Sequence, residues 1–141
     1  MTPSKHLTRA QVRELLARRP LERVVVLGAN GTMGYGSGAL FTQAVPEVTF
    51  LARTRAKAEE GLGDAIKQVR SPTVASRAKV GDYDNDLDAA VAKADLVFEA
   101  LTEDFDVKKA IFDRVEEARS EGCIVATVTS GTAWVKRAAL P

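Results

Sequence analysis

Three glycines at positions 28, 31 and 34 have the spacing that most directly suggests chemistry. They lie in the stretch VVVLGANGTMG, directly after an apolar run. Between a strand and a helix, Gly28 would turn the chain, Gly31 would let the backbone approach a pyrophosphate, and Gly34 would let the helix pack closely. The helix start would offer free amides and a partial positive charge to that anion. A purely structural turn is the alternative. The predicted cofactor-binding residues here are Gly28, Asn30, Gly31, Thr32, Met33 and Gly34.

Strands and helices alternate along the chain around this turn. The apolar run 23–28 predicts a strand buried on both faces, and further strands are predicted at 48–52, 78–83, 95–101 and 123–129. Helices are predicted at 32–44, 55–69, 85–94 and 106–121. Such alternation predicts βαβ units and a parallel sheet covered on both faces. The predicted fold class is α/β, a Rossmann-type doubly wound parallel sheet of about five to six strands in the order 3-2-1-4-5.

An extra N-terminal helix is predicted before the first strand. Thr8 and Gln11 match a capping box, and Pro20 ends the pattern. We therefore predict an N-terminal helical extension (1–20), a dinucleotide-binding domain (21–132), and the start of a linker or a truncated C-terminal helical domain (133–141). The segment GTAWVKRAAL, 131–140, predicts a terminal helix.

Composition excludes several classes of protein. The chain has 141 residues, the size of one domain. Its 20 Lys and Arg against 19 Asp and Glu give a net charge of +1, which indicates neither a nucleic-acid nor a membrane partner. Cys123 is the only cysteine, so no disulfide framework, zinc cluster or other metal site is predicted. No apolar run reaches the roughly 18 residues of a membrane span, and we expect a cytoplasmic protein.

The end of the second predicted strand is where the adenosine ribose would lie. An Asp or Glu about 20 residues after the glycine turn holds the ribose of NAD, but here the sequence is Ala52, Arg53, Thr54 and Arg55. A guanidinium pairs well with a 2′-phosphate. Arg53 and Arg55 therefore predict that NADP is accepted at least as readily as NAD. The alternative is that both arginines are ordinary surface charges.

The second half of the chain carries a longer pattern, KADLVFEALTEDFDVKKAIFDRVEEARSEGCIVATVTSGT, residues 93–132. This pattern resembles the NAD-binding domain of the 3-hydroxyacyl-CoA dehydrogenase family, and the likeness extends over residues 23–132. The matching positions are Ala94, Asp95, Leu96, Val97, Glu99, Ala100, Glu103, Val107, Lys108, Phe112, Thr129 and Ser130. The resemblance implies an oxidoreductase of fatty acid metabolism that transfers hydride between NAD and a 3-hydroxyacyl-CoA.

The resemblance also implies roles for three side chains. Glu103 and Lys108 correspond to residues that contact the nicotinamide-side ribose, and Ser130 to a catalytic residue that hydrogen-bonds the 3-oxygen of the substrate. Glu103 and Lys108 follow the fourth predicted strand, at the sheet edge where ligands collect. For Glu103, an acid that complements a helix dipole is the alternative. Val128 and Gly131 stand where the family has Asn and Ser.

The family's proton acceptor is not found in this sequence. The resemblance implies a His oriented by a Glu after residue 132, whereas the one histidine here is His6. We therefore expect the catalytic segment to lie beyond Pro141, together with an all-helical domain that holds the acyl chain and forms a homodimer. The longer protein would act on an acyl-CoA substrate, and this chain alone is predicted to be inactive.

Two other classes of protein remain open from the sequence. A short-chain NADP-dependent reductase or epimerase would share the GANGTMG turn, but it needs a Tyr-x-x-x-Lys pair. Tyr35 and Tyr83 are followed four residues later by Ala39 and Leu87. A non-catalytic dinucleotide-sensing module would need no such pair. A natural chain that continues into a His–Glu segment would favour the enzyme.

Overall fold

The computed structural model describes residues 4–18, 20–102, 104–128 and 133–136. The strands are β1 (Ser4–Leu7), β2 (Arg23–Leu27), β3 (Glu47–Ala52), β4 (Ala78–Asp82), β5 (Leu96–Glu99), β6 (Ile124–Thr127) and β7 (Ala133–Lys136). The helices are α1 (Arg9–Arg18), α2 (Thr32–Ala44), α3 (Arg55–Val69), α4 (Pro72–Arg77), α5 (Tyr83–Lys93) and α6 (Phe105–Ala118).

The parallel sheet that the sequence predicted is present. Its strands lie in the order β4-β3-β2-β5-β6, which is the predicted order 3-2-1-4-5, and this confirms the doubly wound α/β fold. In the middle strand β2, Val26 pairs with Phe50 of β3 on one side and with Phe98 of β5 on the other. Because these strands are parallel, their carboxyl ends all lie along one edge of the sheet.

Helices cover both faces of this sheet, which explains the unbroken apolar run of β2. Val25 and Leu27 pack into the core cluster that includes α5 and α6, whereas Val24 and Val26 pack with α2 and α3. All four side chains are buried. The two layers hold β2 rigidly, and with it the turn that follows Leu27.

Two segments predicted as helix form strands instead. β7 pairs antiparallel with β6, and β1 pairs antiparallel with β7, so the full order is β1-β7-β6-β5-β2-β3-β4. The helix predicted over 1–20 is therefore wrong for Ser4–Leu7, and the one predicted over 131–140 is wrong for Ala133–Lys136. Four residues are too few to show either periodicity. The open edge of β6 is the partner of β7, and the edge of β7 is in turn the partner of β1, and local sequence reveals neither edge.

The remainder of the N-terminal prediction is confirmed. Helix α1 begins at Arg9, directly after Thr8. The Thr8 amide donates to Gln11 Oε1 at 3.0 Å, and the Gln11 amide donates to Thr8 Oγ1 at 3.2 Å. This is the reciprocal capping box that the spacing predicted. The sequence analysis did not predict α4, a short helix capped by Ser71 with Pro72 in its first turn.

Candidate cofactor-binding site

A cavity of about 220 Å³ opens at the carboxyl edge of the parallel strands. Its walls come from the turn after β2, from the start of α3 and from the segment after β5. The lining residues are Gly28, Asn30, Gly31, Arg53, Lys57 and Thr102. In doubly wound sheets, ligands collect at the carboxyl edge where the strand order reverses. Here the reversal falls at β2, which lies between β3 and β5.

Gly28 makes the turn that forms one wall of the cavity. Its φ is +76°, in the left-handed region that favours glycine. A Cβ at this position would also overlap the carbonyl oxygen of Ala100, just after β5. The Gly28 amide donates to the phenol oxygen of Tyr83 at 2.9 Å. Tyr83 is the buried first residue of α5, so the turn is held between β5 and α5.

The start of α2 packs directly on this turn and leaves its own amides available. A Cβ on Gly34 would overlap the Gly28 carbonyl oxygen, so any larger residue would push the helix away. The N-cap of α2 is Gly31, which has no capping side chain, and no acid lies in the first turn. The first amides of a helix have no acceptor within it. These donors, the helix dipole and the open backbone fit a pyrophosphate group.

The cations near the end of β3 differ in their surroundings. Arg53 and Lys57 line the cavity, and neither side chain has an ion-pair partner within the described ranges. Arg55 does not line the cavity. Its Nε lies 3.3 Å from Glu59 Oε1, and its Nη1 donates to the Val80 carbonyl at 3.5 Å. Of the two arginines predicted to bind the cofactor, only Arg53 therefore lines the cavity, and Lys57, which the sequence analysis did not predict, is a second cation in the lining.

The position at the end of β3 lacks the carboxylate that would bind the adenosine ribose of NAD, and the acid on the neighbouring strand already accepts hydrogen bonds within the protein. Asp82, at the end of β4, is the register partner of Ala52. Its Oδ1 accepts from the Asn85 amide at 2.7 Å, and its Oδ2 accepts from Asn85 Nδ2 at 3.0 Å. These hydrogen bonds lower the pKa of Asp82, with a smaller contribution from the charge of Arg55. Among the described residues, no carboxylate lines the cavity.

A buried carboxylate organises the end of β5. Glu99 has no exposed surface, and it accepts hydrogen bonds at 2.6 Å from both the Thr127 hydroxyl and the Leu101 amide. The Lys108 ammonium, on α6, lies 3.6 Å from Glu99 Oε1, and the Lys108 side chain is 24% exposed. The carboxylate therefore connects β5, β6 and α6 at the edge of the sheet that carries the cavity.

The remaining predicted site residues differ in whether the structure describes them and in whether they line the cavity. Glu103 and Ser130 lie outside the described residues, so their predicted roles stay predictions. Thr32 and Met33 are exposed in the first turn of α2, outside the lining of the cavity, whereas Asn30 belongs to the lining.

Sequence reasoning missed some residues that shape this site. Lys57 follows the helix cap Thr54 by three residues, and a helical projection from that cap could have placed it in the first turn. Glu99 was recognised only as a match to the family. An acid that ends an apolar strand is itself a signal of a buried polar network, because unpaired charges are not buried. Nothing local in the sequence points to the bond between Tyr83 and the glycine turn.

These features define a class of protein, the dinucleotide-binding domains of doubly wound α/β type. The sequence profile described as "3-hydroxyacyl-CoA dehydrogenase, NAD binding domain" matches residues 23–138. The chain belongs to this family of NAD-binding domains. Membership replaces the short-chain reductase alternative. Tyr83, which has Leu87 where that alternative requires a Lys, supports the Gly28 turn.

Individual relatives agree with this family. A probable 3-hydroxyacyl-CoA dehydrogenase of Caenorhabditis elegans is 28% identical over an alignment of 127 residues, covering 78% of this chain and 40% of the relative. The mitochondrial hydroxyacyl-coenzyme A dehydrogenase of Sus scrofa is 27% identical, covering 81% and 41%. The crystal structure of (S)-3-hydroxybutyryl-CoA dehydrogenase from Ralstonia eutropha superposes with a TM-score of 0.61 at 25% identity, covering 76% and 40%. The chain thus spans about two-fifths of the length of these relatives.

Proposed function

We propose that the chain is the cofactor-binding part of an oxidoreductase that transfers hydride between a nicotinamide dinucleotide and a 3-hydroxyacyl-CoA. The observation that carries the proposal is the Gly28 turn, which leads into a helix start with no capping side chain and no acid. Bound at this turn, the dinucleotide would supply the hydride chemistry. The chain itself would bind the pyrophosphate and orient the cofactor at the edge of the sheet.

Three further contacts belong to the same proposal. Lys108 and Glu103 hold the nicotinamide-side ribose, and Ser130 donates a hydrogen bond to the 3-oxygen of the substrate. The ion pair of Lys108 with buried Glu99 supports the first role, because it holds the ammonium group at the carboxyl edge of the sheet while the Lys108 side chain stays partly exposed. The acyl-CoA substrate and a homodimeric whole protein are inferred from the family.

A bulky residue at position 31 is expected to block the cofactor without disturbing the fold. A Cβ on Gly31 would meet only the Gly28 carbonyl oxygen, at an ordinary 3.6 Å, so Gly31→Val leaves the turn intact. Its methyl groups would occupy the space through which the pyrophosphate reaches the backbone. Losing one charge-assisted hydrogen bond of about 1.5–3 kcal/mol weakens NADH binding by about tenfold or more. Calorimetric titration measures this change.

Gly63→Ala is the matched control for that experiment, because a Cβ there would meet nothing within 4 Å. It should leave the affinity for NADH within about twofold, while the helix gains up to about 1 kcal/mol. If circular dichroism shows that both proteins are folded and Gly31→Val binds NADH as tightly as the original chain, the glycine turn does not bind the cofactor.

The chain on its own is expected to bind cofactor but not to turn over a 3-hydroxyacyl-CoA. Its one histidine, His6, lies in β1, four strand positions away from β2 in the sheet. At about 4.8 Å per strand, His6 is roughly 19 Å from the glycine turn. Without a base that removes the hydroxyl proton, a factor of roughly 10²–10⁴ is lost. NADH formation followed at 340 nm should match a protein-free control, and a clear excess would reveal another base.

We infer a cytoplasmic location for the whole protein. In the part of the chain that the structure describes, no helix is both long and apolar enough to cross a membrane. Cys123 is buried as a free thiol, which suits a reducing compartment. One relative is mitochondrial by name, so a tagged whole protein tested by cell fractionation is the direct experiment.

A further inference from the structure

We propose that Arg53 and Lys57 bind the 2′-phosphate of NADP(H), so that this chain prefers the phosphorylated cofactor to NAD(H). The inference rests on the proposed function and adds the class of cofactor that the site selects. It depends on two cations in one cavity, on the absence of a carboxylate among the described residues that line it, and on the engagement of Asp82 and Glu59 elsewhere.

The position of the two cations matches the place of the adenosine ribose. Arg53 directly follows Ala52, the last residue of β3, and Lys57 lies in the first turn of α3. Both line the cavity that also includes Gly28 and Gly31. A dinucleotide whose pyrophosphate lies on the glycine turn places its adenosine ribose at the end of the neighbouring strand. The 2′-oxygen of that ribose therefore lies beside Arg53 and Lys57.

The charges in and around the cavity favour an anion. Arg53 and Lys57 are exposed and have no ion-pair partner within the described residues. Asp82, on the neighbouring strand β4, is the acid that could bind the adenosine ribose in place of a carboxylate at the end of β3. Both of its oxygens already accept hydrogen bonds from Asn85. Glu59 is paired with Arg55. In the described part of the cavity, the ribose diol of NAD consequently finds no carboxylate acceptor, whereas a 2′-phosphate finds two cations.

The start of α3 adds to this preference. Thr54 caps the helix by accepting from the Lys57 amide at 3.1 Å, and no acid lies in the first turn. The positive end of the helix dipole therefore faces the same region as the two side chains. A guanidinium can grip a phosphate with two parallel hydrogen bonds, while an ammonium acts as a point charge. The two cations thus make complementary contacts with one phosphate.

The first experiment compares cofactors on the whole 141-residue chain by calorimetry. NADPH should bind about tenfold or more tightly than NADH at low ionic strength, and this ratio should shrink as salt screens the exposed cations. Adenosine 2′,5′-bisphosphate and 5′-AMP test the same preference without the nicotinamide half of the cofactor. Their affinities should differ by a similar factor, because only the first carries the 2′-phosphate.

Variants then assign the preference to residues. Arg53→Ala and Lys57→Ala should each weaken NADPH more than NADH, so that the ratio of the two affinities falls by about fivefold to tenfold. Lys67, an exposed cation in the last turn of α3, provides the matched control, and Lys67→Ala should change neither constant. Arg55→Ala should cost less NADPH affinity than either cavity variant, because Arg55 is paired with Glu59 outside the cavity.

The outcomes separate this inference from the function on which it rests. If NADH and 5′-AMP bind but the 2′-phosphate adds nothing at any salt concentration, the preference is refuted and the dinucleotide site stands. If Arg55→Ala costs more than both cavity variants, the assignment to Arg53 and Lys57 is refuted. If none of the four ligands binds, both the proposed function and the preference are refuted.

Discussion

Gly28→Ala is expected to lower the free energy of unfolding by about 3 kcal/mol or more and to abolish cofactor binding. A non-glycine residue in the left-handed region costs about 1–3 kcal/mol, and Gly28 has a φ of +76°. The added Cβ also overlaps the backbone oxygen of Ala100, just after β5, whose amide is held by the Leu27 carbonyl at 2.9 Å. Forcing extra atoms into such a packed site costs about 1–3 kcal/mol more. Urea unfolding and NADH titration measure the two effects.

Gly36→Ala is the matched control for this substitution. Gly36 lies in α2 close to the same turn, but its Cβ would meet only the Gln68 side chain, at 3.5 Å. Because alanine is the better helix former, this variant should be as stable as the original chain or up to about 1 kcal/mol more stable. If Gly28→Ala unfolded at the same urea concentration as Gly36→Ala, the structural account of the turn would be wrong.

Glu99→Leu is the second change with a large expected effect. Leucine would leave the Thr127 hydroxyl and the Leu101 amide without their 2.6 Å acceptor, and Lys108 without its counter-charge at 3.6 Å. Breaking a buried charged network by removing one member costs about 3–5 kcal/mol. We expect a loss of about 3 kcal/mol, because Lys108 keeps partial contact with water. The midpoint of urea unfolding should fall while the slope of the transition stays unchanged.

Glu99→Gln separates hydrogen bonding from charge in this network. The amide keeps an acceptor for the Leu101 amide and can donate to the Thr127 hydroxyl, so stability should fall by only about 1 kcal/mol. Lys108 nevertheless loses the negative charge that lies 3.6 Å from its ammonium. The loss in the free energy of NADH binding should therefore exceed the loss in the free energy of unfolding. Asp113→Asn, which removes an exposed partner of Lys109 on the same helix, should change neither free energy. If Glu99→Gln bound NADH as tightly as the original chain, the charge of Glu99 would have no role in cofactor binding.

The features that could be predicted from the sequence are those with a local physical cause. The run Val24–Leu27 is apolar throughout because helices cover both faces of β2, and that pattern is typical of a central parallel strand. Thr8 and Gln11 cap α1 through bonds three residues apart. The position of Gly28 before a helix likewise follows from the short-range spacing of the glycines.

The features that could not be predicted depend on distant partners. β1 and β7 are strands because each completes a hydrogen-bonded edge formed by other segments. The i,i+4 spacing of Arg55 and Glu59 on the predicted helix is visible in the sequence, but the contact of Arg55 with the Val80 carbonyl, which draws it away from the cavity, is not. Lys57 could have been placed in the first turn of α3 from the Thr54 cap, but that this turn lines the same cavity as Gly28 depends on the packing of distant segments.

The pairing of β1 with β7 has a consequence for biosynthesis. Ser4 pairs with Lys136, so β1 is synthesised long before β7, which is its strand partner among the described residues. Bringing such distant segments together carries the loop-closure entropy of nearly the whole chain, and contacts of this kind form slowly. The central strands β2, β3 and β4 can pair as soon as residues 23–82 have emerged. Segment 4–7 therefore remains unpaired with β7 until after these central strands can have formed.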